Sequence, residues 1–210
     1  TDAAEPSASL AGVVHDADAT PADLAAGATW RLPGQFAADT SGTWLQQHFG
    51  AGNVRIADVP GAEGETSRGV ILFPDDASRR AYLHFQDEQQ LHGLSLVRVM
   101  DAGSRWQLDN GIAIGMPLSQ LLAMNGKPIR FTGFDWDYGG AISDWNGGRL
   151  QPADDDPHRR GIRLDHREAP DGAYPMGDAT FSSDDARYPQ LGSVVMVGEI
   201  SVSFPGEDDL

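Results

Sequence analysis

Apolar and polar positions alternate in several stretches of the chain. From Arg79 to Phe85 the period is two, with Ala81, Leu83 and Phe85 on one face and Arg80, Tyr82 and His84 on the other. That is the pattern of a half-buried antiparallel strand. Residues 53–59 alternate with Val54 and Ile56 on one face, and 69–73 is a short apolar run stopped by the turn-forming Pro74-Asp75-Asp76. Residues 94–100 offer Leu94, then Leu96 or Val97, and Val99. Strands are also expected over 129–134 (Ile129, Phe131, Phe134), over 141–145, and over 193–204 (Val195, Val197, Ile200, Val202, Phe204). Two segments change to helical spacing. Thr40 or Ser41 can cap a helix carrying Trp44, Leu45, His48 and Phe49 and ending at Gly50. Pro117 suits a first turn, Met116, Leu118, Leu121, Leu122 and Met124 form a core-facing stripe, and Asn125-Gly126 closes it.

The two helical segments belong to a self-match. Trp30-Arg31-Leu32 aligns with Trp106-Gln107-Leu108, and without a gap Phe36 falls on Ile112, Leu45 on Leu121 and Gly50 on Gly126. After one residue of slippage Val54 meets Ile129 and Ile56 meets Phe131. Each copy reads as a helix followed by an antiparallel meander. The expectation is an α+β fold of two tandem units that form one sheet with both helices on one face. Residues 1–27 read as a flexible tether, 28–104 as the first unit and 105–210 as the second, with a long loop insertion over 151–192. That insertion is rich in Pro and acids and contains one short strand-like run at 161–165. Loops of such length are uncommon in compact domains, and when ordered they are often functional.

Charge and composition narrow the function classes. Lys+Arg number 15 and Asp+Glu 31, for a formal net charge of −16. Such a chain has little means of holding a nucleic-acid backbone or an anionic lipid surface. Cys is absent, so disulfides and thiolate chemistry are excluded. No stretch reaches the ~20 apolar residues of a membrane-spanning helix. The small, polar Thr1 to Ser9 segment reads as what remains after removal of a signal peptide, or of a signal peptide and a lipid-bearing residue. This places the chain in the periplasm, on the outer membrane by a lipid tether, or outside the cell. A chain simply cut at this point is the other reading.

Chemistry concentrates in Phe134-Asp135-Trp136-Asp137-Tyr138-Gly139-Gly140, followed by Asp144 and Trp145. If this segment is extended, Asp135 and Asp137 point to the same face. Asp135, Trp136, Asp137, Tyr138, Asp144 and Trp145 then make a binding platform, with rings that stack and carboxylates that accept hydrogen bonds. Asp135 and Asp137 with Gly139 also match the start of a Ca²⁺ loop, although Asn146 stands where such a loop needs Glu. The plainer reading is an aromatic cluster with turn-capping Asp residues and a Gly-Gly bulge. A second acidic group, Asp154-Asp155-Asp156-Pro157-His158 with Asp165-His166, can hold a divalent metal or pair with the arginines interleaved in it. No nucleophile elbow, metalloprotease helix, phosphate loop or dinucleotide fingerprint is present in the sequence.

The run 111–121 (Gly-Ile-Ala-Ile-Gly-Met-Pro-Leu-Ser-Gln-Leu), Asn125-Gly126-Lys127-Pro128, Gly133-Phe134, Trp136-Asp137-Tyr138-Gly139-Gly140 and Trp145 with Gly147-Gly148 and Leu150 resemble a family of uncharacterised bacterial exported proteins, over about residues 40 to 150. More distantly, the Gly-Met helix start and the Asn-Gly-Lys-Pro helix end look like the repeat of small outer-membrane-assembly lipoproteins. The tandem helix-plus-sheet units look like the β-lactamase-inhibitor-protein fold. These resemblances imply an envelope location and a protein-binding sheet surface. They depart from the sequence in two respects: the first unit lacks the Gly-Met start, and no inhibitory loop can be matched. The expected function is a non-enzymatic binding or assembly module for a protein or glycan of the cell envelope, working without a cofactor. The alternative is an envelope hydrolase acting on carbohydrate or peptidoglycan through a carboxylate pair such as Asp137 and Asp144.

Overall fold

A computed structural model describes residues 30–61, 63–166 and 169–206, so the tether expected over 1–27 lies outside the described residues. The chain enters through β1 (Arg31–Leu32) and then α1 (Gly42–Phe49). Ser41 caps α1, its Oγ accepting the Trp44 amide at 3.2 Å. Leu45 and Phe49 turn into the core, and Trp44 stacks on His48 with centroids 4.6 Å apart. A meander follows: β2 (Val54–Pro60), β3 (Thr66–Leu72), β4 (Ala81–Asp87) and β5 (His92–Val99), each antiparallel to the next.

The first half therefore forms the helix and meander that its pattern predicts. The second half does not repeat it. After β6 (Gln107–Leu108), which lies parallel to β1, come α2 (Leu118–Asn125), β7 (Arg130–Thr132) and β8 (Ile142–Asp144). Next are β9 (Arg159–Asp165), β10 (Thr180–Ser182), the single-turn α3 (Leu191–Val194) and β11 (Met196–Ser203). Strands β11 and β9 add to the meander, giving a six-stranded antiparallel sheet of order β2-β3-β4-β5-β11-β9. The remaining strands form a separate small sheet of order β10-β7-β8.

The fold is thus mixed α+β, with few helices and mostly antiparallel pairing. The single continuous sheet that was expected is replaced by three sheets among the described residues. The reason is local. β7 and β8 are three residues each, bracketed by Gly133 and Gly139-Gly140, and too short to extend the larger sheet. The 151–192 segment supplies the missing edge. Its strand is longer than the alternation indicates and pairs with β11 along its whole length, from Arg159 to Asp165.

Inward residues of the large sheet, among them Leu72, Leu83, Val97 and Val202, share one buried cluster with Leu45 and Phe49 of α1 and Leu118 and Leu121 of α2. Burying alternate strand residues against two helices is the main stabilising term. Ile56, expected beside Val54 on the inner face, is 45% exposed, because β2 is the edge strand and is buried only near its ends. The choice between Leu96 and Val97 is settled by a bulge. The β4–β5 register slips between His84 and Phe85, which sends Val97 inward and Leu96 outward. A second slip, between Val197 and Glu199 against β9, turns Glu199 to the same outer face.

Asn125 ties the second half together. It is buried at the end of α2, where its Nδ2 donates to the carbonyls of Lys127 (2.9 Å) and Trp145 (3.0 Å) and its Oδ1 accepts the Leu150 amide (3.1 Å). Gly126 adopts the left-handed conformation that ends the helix, and the Arg149 guanidinium donates to the orphan carbonyls of Ala123 and Met124. A Cβ on Gly148 would run into the Asn125 amide. The Asn-Gly-Lys-Pro and Trp-x-Gly-Gly motifs are therefore two halves of one hydrogen-bonded joint. Asn125→Ala should lose about 1–3 kcal/mol in equilibrium urea unfolding, since it strands three partly buried backbone partners. Gly148→Ala should destabilise in the same direction, and an unchanged midpoint for both would remove the joint from this account.

Candidate functional site

The outer face of the large sheet is polar, and a groove crosses it. Its floor is a bidentate ion pair between neighbouring strands: Arg98 of β5 donates Nε and Nη2 to the two Glu199 oxygens of β11, at 3.1 and 3.0 Å. Both side chains are largely shielded, at 13% and 15% exposure. Arg98 also donates to the Pro60 carbonyl at 2.7 Å, which ties the 60–65 turn to the floor. Removing either partner would leave a shielded charge unpaired, so the pair resists rearrangement.

The loop at 134–140 forms one wall. This segment is not the extended strand that would put Asp135 and Asp137 on one face. Phe134 makes a single bridge to Met176, Asp135 has φ of 65°, and turns follow to Gly140. Glycine spacing explains the difference: Gly140 also has positive φ and sits too close to the Leu164 backbone for a Cβ, and Gly139 is tightly packed against neighbouring backbone.

Several contacts fix the loop over the sheet. The Leu164 amide of β9 donates to the Gly140 carbonyl at 2.7 Å, and Ala141 bridges Arg163. The Arg163 guanidinium donates to the carbonyls of Asp137 (2.9 Å) and Gly139 (3.1 Å). At the near end, His166 stacks on Tyr174 at 3.8 Å and shares a 3.0 Å hydrogen bond with Asp135. At the far end, the Tyr138 hydroxyl donates to Glu63 Oε1 at 2.6 Å, clasping the loop to the 60–65 turn. The Glu63 carboxylate holds the Tyr138 phenol above its ordinary range. Burial, and then the Asp135 charge, do the same for Tyr174.

Two cavities open along this groove. One of about 400 Å³ is lined by His84, Leu96, Arg98, Asp137, Tyr138 and Ser201, among others. The other, of about 250 Å³, is lined by Phe134, Asp135, Trp136, Asp165 and His166. Arg163 and Glu199 line both and join them. Trp136 and Tyr138 are 36% and 41% exposed, their rings edge to face at 5.4 Å. The Trp136 indole donates to the Gly133 carbonyl at 2.8 Å, so its orientation is set before any ligand arrives.

Asp135, Trp136, Asp137 and Tyr138 are therefore brought together at the groove, whereas Asp144 and Trp145 are not. Asp144 accepts the Asn146 amide at 2.7 Å as a turn residue and lines neither cavity of the groove. Trp145 packs partly on the core and lines a different cavity, of about 380 Å³, beside Asp109, Arg149 and Arg160. Asp137 and Asp144 thus line none of these three cavities together. Among the described residues no group of three His, Asp or Glu side chains could hold a metal ion, Asp135 with Asp137 included. In the second acidic segment, Arg160 pairs with Asp156 and with both oxygens of Asp109 (3.0 and 2.7 Å), so those acids are occupied by arginine. The Arg160 contact lowers the Asp109 pKa; Asp156 is lowered first by the His158 amide and then by Arg160.

Sequence reasoning missed Glu63, Arg98, Arg163 and Glu199 as groove residues. The polar face of β4, with Tyr82 and His84, was visible in the alternation and marks the sheet face on which they gather. Nothing local pairs Arg98 with Glu199. No protein-family model, curated protein or solved structure matches the chain.

His84 and His48 make a pH prediction. Burial, and for His84 the nearby Arg98 as well, lowers both pKa values below 6.5, while Glu88 and Glu199 oppose the shift at His84. Above pH 6.5 the ring is neutral folded or unfolded and contributes nothing to pH dependence. Below it the unfolded chain binds a proton that the folded chain refuses, so stability falls with pH. His84→Gln should flatten the decline of Tm between about pH 6.5 and 5; an unaltered slope would assign the decline elsewhere. A second prediction concerns the loop. Gly140→Ala places a Cβ against the Leu164 carbonyl at positive φ, and should raise amide exchange at 134–141 by at least about tenfold as the loop detaches. Exchange that stays at the level of the parent would show the contact does not hold the loop.

Proposed function

We propose that this protein is a non-enzymatic binding module of the cell envelope, with the groove under the 134–140 loop as its ligand face. One observation carries the reading: Trp136 and Tyr138, two large rings that burial would ordinarily claim, stand exposed at the rim of a preorganised polar groove. The ligand is a protein segment or a glycan, the two classes that such a rim of rings and hydrogen-bonding side chains suits. Export to the periplasm, the outer membrane or the outside remains part of the proposal, supported by the acidic, nearly lysine-free composition. Among the described residues no helix is long and apolar enough to cross a membrane. The duplication reading also belongs here. It is supported by the parallel pairing of Arg31 with Gln107 and Leu32 with Leu108, the same residues that the self-match superimposes.

The test is a double variant, Trp136→Ala with Tyr138→Ala. Immobilised on beads and exposed to envelope extract, it should lose species that the parent retains, with or without Ca²⁺, while its Tm stays within about 3 °C of the parent. Equal retention would remove the groove as the ligand face. A collapse of the fold would show that the rings serve packing.

A further inference from the structure

We infer that the groove takes a lysine- or arginine-bearing segment of a partner protein, its cation seated against the Tyr138 ring and the Asp137 carboxylate. This rests on the groove being the ligand face. The charge lining it is lopsided. Glu63, Asp135, Asp137, Asp165 and Glu199 face two guanidiniums, Arg98 and Arg163. Neither guanidinium is open to an anionic ligand. Arg98 is engaged by Glu199 and by the carbonyls of Pro60 and Gly61, and Arg163 by the carbonyls of Asp137 and Gly139.

The carboxylates differ in the opposite sense. Glu199 is held by Arg98, Glu63 by Tyr138 and Asp135 by His166. Among the described residues nothing donates a hydrogen bond to the Asp137 carboxylate, which lies on the wall of the larger cavity beside Tyr138. A free carboxylate in the same cavity as the exposed Tyr138 ring is a seat for an ammonium or guanidinium group, which gains from the ring face and the negative charge together. The chain's net charge of −16 steers a basic partner toward it and repels an acidic one. A protein segment fits better than a lone amine because the two cavities are continuous through Arg163 and Glu199, a trough longer than one small cation fills.

Fluorescence anisotropy on the full chain tests this with three probes. The first is a fluorescein-labelled glycine-serine peptide with alternating lysine and arginine, and the second its counterpart with glutamine at those positions. The third is a labelled neutral chito-oligosaccharide of similar length. The basic peptide should bind, the glutamine peptide should not, and affinity should fall as ionic strength rises from about 0.05 to 0.3 M. Asp137→Asn and Tyr138→Ala should each weaken binding by roughly tenfold. Asp75→Asn, an equal charge change at an exposed position outside the groove, should alter it by less than about twofold. Equal losses for Asp137→Asn and Asp75→Asn would reduce the effect to diffuse attraction and overturn the inference. Binding of the sugar alone, lost in Tyr138→Ala, would also overturn it while leaving the groove as the ligand face. Binding of none of the probes, together with unchanged envelope capture by the double variant, would remove both.

Discussion

The close approach of Gly140 to the outer edge of β9 is the contact on which the groove depends. A sheet face by itself is open, and a wall requires chain that is both near the sheet and held there. Gly140 meets Leu164 backbone to backbone, where any side chain would intrude. One residue away, Arg163 reaches up from β9 to the carbonyls of Asp137 and Gly139. The edge that would otherwise invite another strand is thereby covered by the protein's own loop. The same contact carries Trp136 and Tyr138 to the rim, and the outer clasps, Asp135 to His166 and Tyr138 to Glu63, work only because the middle of the loop is already anchored.

The floor shows how irregularity in a sheet serves a site. Two bulges, near Phe85 in the β4–β5 ladder and at Gly198 in the β11–β9 ladder, interrupt strict alternation and set Leu96 and Glu199 on the outer face. Without the second, Glu199 would lie out of step with Arg98, and the bidentate pair that stiffens the floor would not form. Bulges of this kind bend a strand and re-aim a side chain at a small cost in pairing. The Asn125 joint plays the corresponding part on the other side of the fold. There a buried amide, fully hydrogen-bonded, locks the end of α2 to the 145–150 turn and so fixes where β8 ends.

Legibility in the sequence followed the range of the forces involved. The inner and outer faces of β4, the Ser41 cap and the buried Leu118 and Leu121 stripe were all readable, because each is set by neighbours a few residues away. The aromatic-acidic segment stood out in the sequence, but its conformation, extended or turned, did not. An alternating pattern suggested a strand, and the glycines at 133, 139 and 140 turned it into a loop. Asp144 and Trp145 were drawn into the same site by proximity in sequence, whereas Asp144 accepts the Asn146 amide in a turn and Trp145 lines a different cavity.

By itself the sequence determined the α+β character, the first meander, both longer helices and the acidic charge. These depend on local periodicity, capping and composition. Tertiary structure alone decided that the 151–192 segment contributes an edge strand, that the strands after α2 divide between two sheets, and that Arg98 meets Glu199 while Asp137 remains without a donor among the described residues. Those outcomes join residues far apart in the chain. Strand order and the pairing of buried charges minimise the free energy of the whole molecule, and no window of local sequence contains that balance.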